Sequence, residues 1–315
     1  MNWRTLASLS PLLLLALACE RPRSAGSFHE GHSFPTTEGK LVRIEARSLD
    51  VEVSVVPSSS IEVSVELEAR SSSRVQANRW VERHKPTFDD SDAKLEINVP
   101  RRAGVTFQVG WFSSQGKIAV SLPPSCRLEV VTSSGDITLD GQQALSGPVR
   151  VDTSSGEIKV RGGASELLAH SSSGDIEIRD AALDLLDADT SSGAVELHSS
   201  AKRALVETSS GSVRLQGLTG EISVRTTSGD VHATWESAEG SFPARVRTHS
   251  GEVWLAFPGS TAPTGQVRTS TGHIRSRFEG SWDHRRRQLE LFPGASGVHL
   301  DVQTTSGAVT LSSSL

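Results

Sequence analysis

The sequence predicts an all-β protein, a parallel β-solenoid of β-helix type, with an irregular β-rich N-terminal part and one short helix. Three observations carry this reading. The phrase T-S-S-G-[DE]-[IV] recurs at nearly constant spacing, apolar and polar residues alternate on both sides of it, and serine is abundant while aromatic residues are scarce. The chain has 315 residues, with 49 Ser, 27 Gly, 13 Pro, 2 Cys, 5% aromatic residues and a net charge of −5. So few rings cannot fill a large conventional core, so stability has to come from repetition. The near-neutral charge argues against a nucleic-acid partner and against a disordered acidic chain.

The repeat is anchored by Gly135, Gly156, Gly174, Gly193, Gly211, Gly229, Gly251, Gly272 and Gly307, with a weaker copy, S-S-Q-G-K-I, at Gly116. From Gly116 to Gly272 the steps are 19, 21, 18, 19, 18, 18, 22 and 21 residues, a solenoid period. Two residues after the glycines stand Ile137, Ile158, Ile176, Val195, Val213, Val231, Val253, Ile274 and Val309. Five residues before them the column reads Val130, Val151, Ala169, Ala188, Val206, Val224, Val246, Val267 and Val302. This period of two puts one face inward and the other in water. Each unit therefore reads as strand, corner, strand and return loop, stacked in parallel on the next. The corner glycine is expected at positive φ. The Thr or Ser three residues before it is expected to form a hydroxyl ladder.

The remaining segments follow in order. Residues 1–18 hold a short apolar run and read as a signal peptide, ending L-A-L-A-C with Cys19 at the cleavage point. Residues 19–38 are polar and aperiodic and read as a flexible tether, with His29 and His32 lacking the spacing of a metal pair. Residues 39–108 read as the irregular N-terminal β segment, with Leu49 in place of a corner glycine and a short helix over about 71–85 that ends before Pro86. Residues 109–315 carry the repetitive solenoid, with an excursion over about 277–292 that includes His284-Arg285-Arg286-Arg287. No apolar run long enough to span a bilayer follows the signal segment. With Cys126 the only other cysteine, no internal disulfide is expected once Cys19 carries lipid.

A lipobox-like L-A-L-A-C, an irregular β start and T-S-S-G-[DE]-[IV] coils ending in T-T-S-G-A-V-T-L resemble the bacterial putative-adhesin family, a domain of unknown function, here as a lipoprotein. The resemblance covers roughly residues 40–315. It implies an exported protein attached to the cell envelope, with the outer membrane as the expected location and the lipid on Cys19 as the membrane contact. It implies no catalytic residues and no cofactor.

Three constellations could carry chemistry. Asp136, Glu157, Asp175, Asp230 and Glu252 follow corner glycines and form a carboxylate row, which fits a charged structural corner, a cation site or, least well, an acid–base pair. His249 and His273 are expected on adjacent corners, without a third ligand. Four residues before the glycines stand Asp152, His170, Asp189, Glu207, Arg225, Arg247 and Arg268. This column faces outward and offers either cross-coil ion pairs or, through Arg225, Arg247 and Arg268 with Arg245 and Arg275 nearby, an anion-binding stripe. The expected function is a non-catalytic, adhesin-like binding or scaffolding module for an envelope glycan or protein. The alternatives are a carbohydrate-active β-helix enzyme and a filament-forming envelope scaffold.

Overall fold

The computed structural model describes residues 24–101, 110–292, 294 and 297–314. The signal segment and Cys19 lie outside the described residues. Within them, 25 strands join one hydrogen-bonded sheet and one helix packs on it, so the chain is all-β with one short helix.

The N-terminal part contains β1 (Ser24–Pro35), β2 (Leu41–Arg47), β3 (Asp50–Val55), β4 (Ser60–Ser71), α1 (Arg74–His84), β5 (Thr87–Asp90), β6 (Lys94–Asn98) and β7 (Phe112–Leu122). The repeat then supplies β8 (Arg127–Thr132), β9 (Ile137–Gly141), β10 (Val149–Thr153), β11 (Ile158–Gly162), β12 (Glu166–Ser171), β13 (Ile176–Leu183) and β14 (Leu185–Thr190). In two of the three 18-residue units the strands run through without a break, as β15 (Val195–Thr208) and β16 (Val213–Thr226). Then follow β17 (Val231–Trp235), β18 (Ser241–Arg247), β19 (Val253–Pro258), β20 (Thr264–Thr269) and β21 (Ile274–Ser276). The chain ends with β22 (Gly280–Trp282), β23 (Gln288–Leu291), β24 (Gly297–Thr304) and β25 (Val309–Ser314).

Strands before the corner pair in the order β5, β6, β2, β8, β10, β12, β14, β15, β16, β18, β24, β20, β23, β22. Strands after it pair in the order β1, β4, β7, β3, β9, β11, β13, β15, β16, β17, β19, β25, β21. Pairing is parallel throughout the repeats and antiparallel only at the ends. The register keeps each column aligned, so Ile158 lies between Ile137 and Ile176, and Val213 between Val195 and Val231. These side chains are almost fully buried, and each contributes about 1.5–3 kcal/mol relative to exposure.

The corner differs from the expectation in its physical cause. None of the nine repeat glycines has positive φ. What excludes a side chain is the neighbouring backbone: a Cβ on Gly193 would lie 2.0 Å from the carbonyl oxygen of Gly174, and one on Gly211 would lie 1.7 Å from that of Gly193. The hydroxyl column bonds to backbone. Gly211 N donates to Thr208 Oγ1 at 3.1 Å, and Thr208 Oγ1 donates to Gly193 O at 3.4 Å. Thr153, Ser171, Thr190, Thr226, Thr269 and Thr304 likewise accept from their own corner glycine.

Leu49 does replace a corner glycine: β2 and β3 flank it, and a Cβ on Gly135 would lie 1.9 Å from Leu49 O. Gly116 is not a corner. It lies inside β7, where its missing side chain makes room for Leu49 Cδ2, which a Cβ there would meet at 2.6 Å. The tether expectation fails from Ser24 onward. Residues 24–35 form β1, antiparallel to β4, because Phe28, His32 and Phe34 share one face and meet Leu67, Val63 and Ile61 in register. Gly26 gives α1 room to lie against β1, since a Cβ there would meet Asn78 Oδ1 at 2.7 Å. Buried Lys40 ties this end together, donating to Asp90 Oδ1 at 2.6 Å and Pro35 O at 2.8 Å.

The C-terminal coil is not last in space. A Cβ on Gly272 would meet Gly307 O at 1.9 Å, and one on Gly307 would meet Gly251 O at 1.7 Å. β24 and β25 therefore insert between the units of Gly251 and Gly272. The excursion makes this return possible, and β22 and β23 within it form a hairpin that adds to β20.

If backbone approach governs the corner, the identity of the added side chain matters little. Gly193→Ala, Gly193→Asn and Gly193→Val should each destabilise by about 3 kcal/mol, the upper part of the overpacking range. A positive-φ corner would instead tolerate Asn best, and chemical denaturation separates the two. Thr208→Val should cost about 1–2 kcal/mol, because the buried Gly211 N–H loses its acceptor. An unchanged melting curve would remove the hydroxyl from the account.

Candidate functional site

The carboxylates that follow the corners serve the backbone. Asp136 Oδ1 accepts from Glu157 N at 2.9 Å, Asp175 Oδ1 from Ala194 N at 2.7 Å, and Asp230 Oδ1 from Glu252 N at 2.8 Å. Asp50 does the same for Asp136 N at 2.9 Å. Each aspartate so placed ties its coil to the next. Glu157 pairs with Lys159 at 2.8 Å. His249 and His273 are not on adjacent corners, because the Gly307 corner lies between them: Ser306 N donates to His249 O and Val309 N to His273 O. Among the described residues, no three His, Cys, Asp or Glu side chains are grouped to hold a metal ion.

The outward charge column forms an aligned row. Asp152, His170, Asp189, Glu207, Arg225 and Arg247 lie in successive register, and Gln303 then separates Arg247 from Arg268. Most of the row is paired internally. His170 lies 3.4 Å from Asp189, and Arg225 Nη1 donates to Glu207 Oε1 at 2.8 Å. Arg245 reaches Glu221 at 3.4 Å, and Arg247 reaches Asp301 at 3.6 Å. These are exposed pairs, worth about 0–1 kcal/mol each. The five-arginine stripe is therefore split. Arg225 and Arg245 are held by carboxylates, and Arg275 lies past the corner on β21, opposite Thr310.

Arg247 and Arg268 are brought together with Arg287 of the excursion and with residues the sequence did not mark. They flank Gln303 in a recess of about 470 Å³ that is also lined by Arg287, Gln288 and Asp283. Arg287 comes from the turn of the β22–β23 hairpin and donates Nη1 to Ser270 O at 2.6 Å. Asp283 builds that turn, accepting from Arg287 N at 2.6 Å, Gln288 N at 2.8 Å and Arg285 N at 3.2 Å. The Gln288 N–H, with those of Arg287 and Arg285, holds the Asp283 carboxyl below the usual aspartate range. Gln303 was visible in the sequence, four residues before Gly307. Its place between two arginines was not, because coil order departs from chain order there.

The model of the Toastrack DUF4097 family matches residues 42–312, and the chain belongs to that family. No curated protein matches it. Among solved structures, a "putative lipid binding protein" from Parabacteroides distasonis is 13% identical, with 91% of this chain and 97% of that chain covered and a TM-score of 0.52. A "putative adhesin" from Parabacteroides merdae is 11% identical, over 91% and 96% of the two chains, with a TM-score of 0.47. One from Bacteroides fragilis is 9% identical, over 91% and 97%, with a TM-score of 0.40. At such identities only a likeness of fold is shown, and only by the first.

The Asp283 turn gives the recess a pH limit with a definite sign. A carboxyl whose folded pKa is depressed adds stability that is present above its unfolded pKa and is lost as pH falls through the folded value. The hairpin should therefore stay ordered at neutral and mildly acidic pH and loosen only below the ordinary aspartate range. Amide exchange at Arg287 and Gln288, followed against pH, checks this. Asp283→Ala should show the fast exchange at every pH, and slow exchange in that variant would free the turn from the carboxylate.

Proposed function

We propose that this Toastrack DUF4097 protein is a parallel β-solenoid, exported and lipid-anchored at Cys19 to the cell envelope, in the outer membrane. There it acts as a non-catalytic, adhesin-like binding module. The recess is the observation that carries the reading. Three guanidinium groups face it, and among the described residues its one carboxylate, Asp283, is engaged by three backbone N–H groups. Such a site recognises charge and shape, and it has no free acid–base pair with which to cleave a glycosidic bond.

The ends of the sheet favour a presented monomer over a filament. At one end lie β1, rich in polar residues, and four-residue β5, and at the other three-residue β22. Short strands such as β5 and β22, and the polar residues along the longer β1, blunt an edge that would otherwise recruit another chain. Cys19 precedes β1 by five residues, a reach of at most about 18 Å. Acylation of Cys19 would therefore hold the β1 end near the bilayer. The thirteen strands from β1 to β21 extend about 58 Å at a spacing of about 4.8 Å, which would put the recess at the far end. Several acyl chains on one residue anchor stably where one alone is marginal.

Two measurements test this. Cys19→Ser should move the protein from the membrane to the soluble fraction on cell fractionation, and unchanged membrane association would remove the anchor. The full chain in detergent should co-sediment with isolated envelope polysaccharide or peptidoglycan without altering its chain length. Shortened polymer would favour the enzyme, and no co-sedimentation would end the binding-module reading.

A further inference from the structure

The recess is assembled from four separate parts of the chain. Arg247, Gln303, Arg268 and Gln288 stand in register across β18, β24, β20 and β23. Guanidinium and amide groups thus alternate at intervals of about 4.8 Å. Arg287 is held at the rim through Ser270 O. Arg268 has no ion pair among the described residues, and Arg247 reaches Asp301 only at 3.6 Å. Three guanidinium groups converge on one concavity against the ionised Asp283 and, beside Arg247, Asp301, so positive charge is left over at Arg268 and calls for an external anion.

The lining limits what carries that anion. Apart from the charged groups it is lined by two glutamines, Ser270, Thr305 and the inward-facing Thr248, Thr269 and Thr304, whose side chains are buried, with no aromatic ring and no aliphatic side chain. An acyl chain would find no apolar wall, and a nucleobase no stacking face. A sugar would find donors and acceptors for its hydroxyls, and about 470 Å³ is room for one unit of a chain.

We infer that the recess binds a sugar unit bearing an oxyanion, a carboxylate or a phosphate. Arg268 and Arg287 take the oxyanion through forked hydrogen bonds, and Gln303 and Gln288 take hydroxyls. This rests on the binding-module reading and names its ligand.

The test is calorimetric titration of the full chain in detergent with glucuronate, a glucose phosphate, glucose and inorganic phosphate. The two acidic sugars should bind, glucose should not, and inorganic phosphate should bind more weakly than the sugar phosphate. Arg268→Gln should weaken acidic-sugar binding about tenfold or more, the loss of a charge-assisted hydrogen-bond partner. Arg287→Lys, which keeps the charge and loses the fork, should weaken it less. Arg225→Gln, outside the recess and paired with Glu207, should leave it unchanged. Added salt should weaken binding, because exposed charges are screened over about 8 Å at physiological ionic strength. Wild-type affinity in Arg268→Gln overturns the assignment, as does equal binding of glucose, or of inorganic phosphate and the sugar phosphate. A chain that binds neither acidic sugar yet co-sediments with envelope polymer loses this ligand and keeps its role as a binder. One that does neither loses both.

Discussion

At every regular corner of this protein, backbone packs on backbone: the α-carbon of one glycine faces the carbonyl of the glycine one coil away, with no room for a β-carbon between them. Much of the structure follows from that contact. It sets where one coil lies on the next, so the Val and Ile columns meet like residues in register instead of slipping by one and turning outward. It also buries the glycine N–H, which then needs an acceptor. At every repeat corner but that of Gly251 the Thr or Ser three residues earlier supplies it, and this explains a buried polar column in an otherwise apolar interior. The aspartate after the glycine closes the same corner from outside by accepting a backbone N–H of the next coil. The phrase T-S-S-G-D is thus one hydrogen-bonded device read from inside to outside.

This economy explains how a serine-rich chain with few aromatic residues builds a stable fold. Each coil adds a few fully buried aliphatic side chains and satisfies its corner with short polar groups that cost little rotamer freedom. The surface charges contribute far less, because their pairs are exposed. Aromatic packing appears mainly where the repeat becomes irregular. Trp235 stacks on Phe257 at 4.5 Å, and Trp235 Nε1 donates to Gly220 O at 2.9 Å. There the 22-residue step leaves more interior to fill than valine can occupy.

Features that repeat were legible in the sequence, and features that occur once were less so. The inward columns, the hydroxyl column and the substitution of Leu49 for a corner glycine all follow from alignment on the glycine, and the single helix was legible from its terminating Pro86. The reason for the glycine did not, because positive φ and backbone approach demand the same residue. The strand at 24–35 was hidden by polar composition, although Phe28 and Phe34 keep even spacing. Gly116 looked like a corner because its neighbours imitate the phrase. Only the partner strands show that it sits mid-strand, cleared for Leu49. The arginine stripe was right in its outward direction and wrong in its continuity, since register alone cannot tell which carboxylate lies beside each guanidinium.

The position of the last coil ties these observations together. A solenoid stacked in chain order would have set Arg268 directly beside Arg247, extending the run of adjacent arginines that Arg225 and Arg247 already begin. Inserting β24 places Gln303 between them and brings Asp301 within reach of Arg247. The same insertion requires the chain to leave after β21 and return, and the excursion that carries it supplies the hairpin bearing Arg287. The interrupted arginine run, the terminal hairpin and the recess therefore share one topological cause. It also makes the recess depend on distant segments, since residues 247, 268, 287 and 303 meet only once the final coil has found its slot. Such non-local pairing forms slowly. The repeat, with its local corners, can be ordered before the site is complete.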